Sequence, residues 1–240
     1  MRTATKVMLA TAATALVLGV TACSDDDDSK SGPSNAEYAE FCEAKLAADS
    51  VPQMSPTYME DVLPLVADAN EAAPDDIADA MEIVHTSYEK MAEGDESVFE
   101  DPEFAAAQGD VAVWVDEECG FTSVSVKSVD YSFEGLPSSI SAGPVSFLNE
   151  NTGEEPHVAV VMKVPENLDL SDPMEILMAE EPPKGVEMVG AAFVAPGDTA
   201  GFSADLEPGK YFVFCDIPVG GEETGDPHFL HGMQGTFIVT

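Results

Sequence analysis

Residues 211–240 read YFVFCDIPVGGEETGDPHFLHGMQGTFIVT. Apolar runs at both ends of this stretch flank a loop rich in glycine and proline, which predicts two β-strands joined by a loop. Cys215, His228, His231 and Met233 lie in the loop or at its edges. The loop is therefore either the frame of a metal site or a connection that contains soft side chains by chance.

The sequence from Thr122 onward continues this strand pattern. Short apolar or alternating segments are separated by turn signals at 151–153, 196–198 and 208–209. The segments lie at 123–135, 144–150, 157–164, 191–206, 210–217 and 235–240. Many short strands at this spacing predict a β-sandwich over residues 122–240.

Residues 35–121 instead show helical periodicity, with proline or polar residues before each segment and glycine after the last two. The four predicted helices cover 36–49, 56–72, 75–94 and 103–119. Four short helices with short connections predict a small antiparallel bundle. The fold class is therefore a small N-terminal helical bundle followed by a β-sandwich, with the change near residue 121.

The first 34 residues carry features of export. Arg2 and Lys6 precede an apolar run over 7–20, so residues 1–22 are predicted to be a secretory signal peptide. Residues 23–34 are acidic and polar, and are expected to form a flexible tether.

The end of this signal, Val20-Thr21-Ala22-Cys23, resembles the lipobox of bacterial lipoproteins. The resemblance implies that Cys23 is lipidated and anchors the protein to the membrane, at the outer face of the cell membrane within the cell envelope. The alternative is an ordinary signal peptide followed by a cysteine that lies there by chance.

Charge excludes one class of partner. The chain has 9 basic and 46 acidic residues, a formal charge of −37. Such a surface repels phosphate backbones, so nucleic acid is not an expected partner. It also offers no polybasic membrane contact, which leaves the lipid as the expected anchor.

The remaining cysteines suggest one disulfide. Cys42 lies in the first predicted helix and Cys119 at the end of the last. A bridge between them would tie the ends of the bundle together and stabilise it by roughly 3–4 kcal/mol. The sequence does not prove this pairing, and Cys215 is left as the odd cysteine.

Three segments of the C-terminal half resemble the cupredoxin family, the small blue-copper fold. Residues 126–161 resemble the family's opening strands, in which a strand ends in Asn and a His begins the next strand. Residues 206–215, LEPGKYFVFC, resemble the run into the metal-binding cysteine. Residues 228–239, HFLHGMQGTFIV, resemble the closing His-x4-Met and last strand. The resemblance covers about half of the chain and implies a Greek-key sandwich.

The resemblance also implies a ligand set for one mononuclear copper. His157, Cys215 and His228 match the equatorial ligands, and Met233 matches the weak axial one. Two imidazoles, a thiolate and a thioether suit both Cu(I) and Cu(II). Copper would also account for the odd cysteine, since Cys215 would be occupied by metal.

Two features depart from the family pattern. Twelve residues separate Cys215 from His228, more than in simple members. The extra segment, 219–225, either bulges out and leaves the ligands in place or marks a rebuilt loop. His231 is a second candidate histidine, but His-x-Met is too tight for the family pattern, so it is expected to be an exposed neighbour.

We therefore expect a lipid-anchored copper protein that transfers single electrons or holds and delivers copper, with a redox or copper-exchange protein as partner. No enzyme activity is expected, because no nucleophilic triad or nucleotide-binding motif is present and a multicopper oxidase needs more than four histidines. The alternative is a metal-free sandwich that serves as a protein-binding or scaffold module. Cys215 would then be buried and inert, or paired with Cys42 or Cys119.

Overall fold

The computed structural model describes residues 38–170, 173–174, 183–221 and 225–240. The predicted signal peptide 1–22, the lipidation site Cys23 and the tether 23–34 lie outside these residues. Within them, no helix combines the length and the apolar character that crossing a membrane requires.

Four α-helices form the first half, as the sequence predicts. They are α1 Ala39–Asp49, α2 Tyr58–Glu71, α3 Ala78–Ala92 and α4 Pro102–Glu118. The start of α4 shows why such sequences begin helices. The Asp101 carboxylate accepts a hydrogen bond from the Glu103 amide, and Pro102 occupies the first helical position, where no amide hydrogen is needed.

The helices bury a shared apolar core that includes Phe41, Met81 and Val111. A disulfide between Cys42 and Cys119 joins α1 to the residue that follows α4, across a sequence separation of 77 residues. Among the described residues, Cys215 is the free cysteine, and it is buried. Pairing of Cys215 with Cys42 or Cys119, an alternative left open by the sequence, is therefore not seen.

Nine strands form two sheets in the second half. They are β1 Thr122–Val129, β2 Ser132–Glu134, β3 Ser139–Ile140, β4 Gly143–Asn151, β5 His157–Val164, β6 Glu187–Val194, β7 Thr199–Leu206, β8 Gly209–Phe214 and β9 Gln234–Val239. One sheet has the order β2-β1-β4-β7 and the other β3-β9-β8-β5-β6. The pairs β1–β4 and β3–β9 are parallel, and the others are antiparallel.

The inner faces of the two sheets pack into one core. Its aromatic members include Phe147 stacked on Phe202 and Tyr211 stacked on Phe237. The Tyr211 hydroxyl donates to the Glu207 carbonyl at 2.8 Å, which satisfies its polar end. Since β8 pairs with both β5 and β9, the ends of these three strands lie side by side.

Helices α1 and α4 pack against strand β7 of the four-stranded sheet. Side chains alternate along a strand, so Gly201 and Ser203 face the helices while Phe202 and Ala204 join the inter-sheet core. The Asp49 carboxylate at the end of α1 accepts from both the amide and the hydroxyl of Ser203, at 2.8 and 2.9 Å. Helices and strands therefore share an interface, and their division into separate domains stays a prediction.

Gly109 tests this interface. A β-carbon at Gly109 in α4 would lie 2.4 Å from the Thr199 carbonyl oxygen. Helix propensity alone predicts that Gly109→Ala stabilises by up to about 1 kcal/mol. We expect destabilisation instead, by roughly 1–3 kcal/mol, because the backbone of β7 must move. Urea unfolding measures the difference.

The exposed residue Ala106 in the same helix provides the control. Ala106→Gly should cost about 1 kcal/mol by propensity alone. A Gly109→Ala variant that unfolds at higher urea than the parent would contradict the close approach of α4 to β7.

Candidate metal centre

The four predicted ligands lie at one end of the five-stranded sheet. Cys215 directly follows β8, and Met233 directly precedes β9. His228 begins a short 3-10 turn, His228–His231, within the connection between these strands. His157 is the first residue of β5, the other neighbour of β8. Adjacent strand ends thus bring together residues that lie up to 76 positions apart in sequence.

The long connection between Cys215 and His228 folds back on itself. Pro218 and Pro227 form an isolated antiparallel bridge, and the Val219 amide donates to the Asp226 carbonyl at 3.0 Å. Residues 222–224 of this connection lie outside the described residues. The bridge closes the connection between Cys215 and His228, as expected if the extra segment leaves the ligands in place.

Further backbone bonds fix the ligand residues on either side of the bridge. The Phe229 amide donates to the Cys215 carbonyl at 2.9 Å, and the Cys215 amide donates to the Met233 carbonyl at 3.1 Å. The His228 amide donates to the Ile217 carbonyl at 2.9 Å. The segment that contains Cys215 and the segment that contains His228 and Met233 are therefore held against each other.

Three donor atoms converge in the interior. Ligand atoms of His157, Cys215 and His228 all lie within 4.8 Å of one another, and all three side chains are fully buried. The two Nδ1 atoms are 3.1 Å apart, and Cys215 Sγ lies 3.4 Å from His228 Nδ1. Nitrogen and sulfur ligands bind a metal such as zinc at about 2.0–2.3 Å, so donors that share one ion are expected to be about 3–4 Å apart. These spacings fit one ion.

Each histidine contacts a carboxylate on the far side of its ring. His157 Nε2 lies 3.0 Å from Asp130 Oδ1, and His228 Nε2 lies 3.2 Å from Glu155 Oε2. An ionised carboxylate only accepts hydrogen bonds, so both Nε2 atoms carry the proton and donate. Such carboxylate–histidine pairs fix the tautomer and orientation of metal-binding imidazoles.

Both carboxylates are ionised more readily than usual. Burial raises the pKa of Asp130, but hydrogen bonds from the Glu154 amide, His157 and the Glu155 amide outweigh this effect and hold the pKa below its ordinary value. The pKa of Glu155 is lowered by hydrogen bonds from the Gly220 amide, the Tyr131 hydroxyl and His228, against the opposing effect of burial. The carboxylates are therefore anionic acceptors at neutral pH.

This arrangement leaves two lone pairs facing each other. A neutral imidazole that donates from Nε2 presents Nδ1 as an acceptor, and the two Nδ1 atoms meet at 3.1 Å. Burial lowers the pKa of His157, although the hydrogen bond to Asp130 opposes this effect, so the neutral ring is favoured. The Cys215 thiol, 3.4 Å from His228 Nδ1, can donate to one of these nitrogens, and a metal ion that displaced the thiol proton would bind both nitrogens and the sulfur. The donor set therefore fits a metal.

Cys215 is the third donor, and its thiol ionises less readily than an exposed one. Burial raises its pKa, while the amides of Val158 and Ile217 act in the opposite direction. The Val158 amide lies 3.4 Å from Sγ and points to it. A metal ion would have to displace the thiol proton, and this amide would then stabilise the thiolate.

Met233 and His231 differ in their surroundings. Met233 is fully buried in the same apolar cluster as Cys215, Phe214 and Phe229. His231 is exposed, and its ring contacts the ring of Tyr131 at a centroid distance of 5.4 Å. The placement of Met233 inside and His231 outside is the one that the sequence analysis favours.

The sequence analysis missed Asp130, Tyr131 and Glu155. Tyr131 takes a left-handed backbone (φ 67°), which bulky residues rarely adopt, and its ring lies edge-on to His228. The available signal was weak: Asp130 and Tyr131 occupy a turn between strands, and Glu155 lies two residues before His157. In a chain with 46 acidic residues, nothing in their spacing separates these two carboxylates from the others.

A two-sheet sandwich with His, Cys and His buried at the end of adjacent strands is the cupredoxin arrangement. The C-terminal half is a cupredoxin-like sandwich. No protein-family model matches the chain, and no curated protein matches it.

Solved structures do match the cupredoxin-like half. Dithionite-reduced auracyanin from Roseiflexus castenholzii is 20% identical over 50% of this chain and 97% of its own, with a TM-score of 0.33. Auracyanin A from Chloroflexus aurantiacus, a "blue" copper protein, is 19% identical over 50% of this chain and 98% of its own (TM-score 0.31). Reduced rusticyanin is 18% identical over 49% of this chain and 78% of its own (TM-score 0.33).

Gly153 offers a test of the Asp130–His157 pair. A β-carbon at Gly153 would lie 2.3 Å from Asp130 Oδ1 and 3.0 Å from His157 Nε2. We expect Gly153→Ala to destabilise the copper-free protein by roughly 1–3 kcal/mol, since the carboxylate must leave its place. Denaturant unfolding measures this loss.

A double-mutant cycle supplies the control. In an Asp130→Ala background the clash with the carboxylate is absent, so Gly153→Ala should cost clearly less than it does alone. Equal costs in both backgrounds would show that Gly153 does not report on the Asp130–His157 pair.

Proposed function

We propose that this protein is a single-electron carrier with one mononuclear copper, bound by His157, Cys215, His228 and Met233. The observation that carries the proposal is the convergence of two buried Nδ1 atoms, 3.1 Å apart, beside the buried Cys215 thiol. Bound copper would supply the Cu(II)/Cu(I) couple. Imidazole, thiolate and thioether together suit both oxidation states.

Burial of the donors favours electron transfer over delivery of copper. His157, Cys215, His228 and Met233 are all fully buried, and backbone hydrogen bonds hold the loop segments together. Delivery requires ligand exchange with a partner, which is easiest with accessible donors. An electron carrier instead gains from ligands that keep one geometry. Copper holding or delivery is therefore the second candidate within the copper proposal.

The same burial supports a carrier over an enzyme. A substrate that binds a metal needs an open and accessible position, as catalytic metal sites provide. The chain has four histidines, of which His85 lies in α3 beside Glu89 and His231 is exposed. A metal-free scaffold remains the alternative function. It leaves unexplained why two imidazole nitrogens and a thiol converge in the interior.

We further propose export and membrane attachment through lipid on Cys23, with a redox protein as partner. The support is the charge and apolar pattern of residues 1–22 and the lipobox-like 20–23. An envelope location also suits the Cys42–Cys119 disulfide, because disulfides persist in oxidising compartments.

Copper binding is tested with the soluble chain from Ser24 onward. One equivalent of Cu(II) should produce an intense visible thiolate-to-copper band. Cys215→Ser and His228→Ala should each abolish this band, because each removes a donor. His231→Ala should preserve it, since that side chain is exposed.

Circular dichroism of each variant ensures that loss of the band is not loss of the fold. A folded parent protein without a band, whose Cys215 remains unprotected by copper from alkylation, would reject the copper proposal and favour the scaffold.

Lipid attachment is tested by fractionating bacteria that express the full chain. The parent should sediment with membranes, and Cys23→Ser should become soluble, because the lipid is the proposed anchor. Cys215→Ser is the matched control and should stay in the membrane fraction. A membrane-bound Cys23→Ser variant would contradict lipid anchoring at this residue.

A further inference from the structure

We propose that Asp130 and Glu155 are positioning residues that hold one proton of each imidazole on Nε2, on the side away from the donor cluster, and bias the centre toward the oxidised metal. The inference rests on the proposed function for its redox part, whereas the positioning part concerns the copper-free protein. It predicts a centre whose reduction potential is held low by two fixed negative charges.

The two carboxylates act in the same way on the two rings. Each lies on the Nε2 side of its imidazole, at 3.0 Å for Asp130 and 3.2 Å for Glu155. In both cases the Nδ1 atom on the opposite side of the ring faces the donor cluster. One such pair would orient a single ligand. Two such pairs place a proton on Nε2 of both rings, on the side away from the donor cluster.

Both carboxylates are fixed by groups outside the donor cluster. Asp130 accepts from the backbone amides of Glu154 at 3.1 Å and Glu155 at 3.3 Å. Glu155 accepts from the Tyr131 hydroxyl and the Gly220 amide, both at 2.8 Å. Neither carboxylate can turn away from its histidine without losing these hydrogen bonds, so their charges stay in place when the charge at the centre changes.

Gly220 links this arrangement to the long loop. It lies just after Pro218, which pairs with Pro227, and its amide donates to the same Glu155 Oε2 that contacts His228. The extra length of the loop thus supplies a hydrogen bond that orients the Glu155 carboxylate. This gives the insertion a role in the site beyond spacing the ligands.

The sign of the redox effect follows from Coulomb's law. Oxidation adds one positive charge at the centre, and each carboxylate lies one imidazole ring away from it. A unit charge at such a distance, in the medium of a protein surface, should change the ratio of Cu(II) to Cu(I) affinity by about tenfold. Both carboxylates favour Cu(II), so they lower the potential together.

The positioning part is tested first by nitrogen NMR of the copper-free protein labelled at histidine. Both His157 and His228 should carry a proton on Nε2, with at most one further proton shared between the Nδ1 atoms. Exposed His231 provides the reference ring for exchange between tautomers. A ring of His157 or His228 that is unprotonated at Nε2 would overturn the inference, whether or not the protein binds copper.

The redox part is tested with Asp130→Asn and Glu155→Gln. These amides keep an oxygen for the Nε2 proton but remove the charge. Each should raise the ratio of Cu(I) to Cu(II) affinity by about tenfold, which is about 59 mV of reduction potential for a one-electron couple. The double variant should show about the sum of both shifts. Potentials are measured by redox titration of the visible band, and both affinities by chelator competition.

Glu154→Gln is the matched control. This substitution removes one negative charge from the turn that also contains Glu155. Among the described contacts, the Glu154 side chain bonds to neither imidazole. Its potential should change by much less than that of either test variant. Equal shifts in all three variants would indicate a general effect of net charge and overturn the specific role of Asp130 and Glu155.

The outcomes separate this inference from the proposed function. A parent protein without a copper band rejects the function, while the NMR result still decides whether the carboxylates position the rings. A parent with a band, and test variants whose potentials do not rise, keeps the function and rejects the inference.

Discussion

Two buried imidazole nitrogens that face each other at 3.1 Å are the constraint on which this site depends. The proton of each ring is donated to a carboxylate on the other side, and the Cys215 thiol, 3.4 Å from His228 Nδ1, can donate to only one of the two nitrogens. The thiol of Cys215 lies beside them in the same interior. Two facing acceptors that share one weak donor are costly in an apolar core, and a cation bound between them would remove this cost.

The sandwich is the frame that makes this convergence possible. Strand β8 lies between β5 and β9, so a residue at the start of β5 and the loop between β8 and β9 meet at one sheet end. Backbone bonds around Cys215 and the bridge between Pro218 and Pro227 then close the loop. The helices α1 and α4 pack on β7 of the other sheet, away from these strand ends.

Much of the fold was predictable because it follows from local patterns. Helical periodicity with capping residues indicated four helices, and alternation between turn signals indicated the strands, including β5 at its observed bounds of His157–Val164. The motifs around Cys215 and His228 indicated residues that converge in the folded chain, since each lies within a short recognisable segment. The approach of Gly109 to Thr199 was not predictable, because that contact joins positions 90 residues apart.

The sequence by itself determined the order of helices and strands, the acidic surface, and the four side chains suited to copper. Only the tertiary structure decided that Pro218 and Pro227 pair within the long loop and that Cys215 stays free while Cys42 pairs with Cys119. It also decided which carboxylates, Asp130 and Glu155, contact the two histidines. The physical reason is that a ligand motif is local, whereas its charge environment is assembled from turns that meet only in the folded chain.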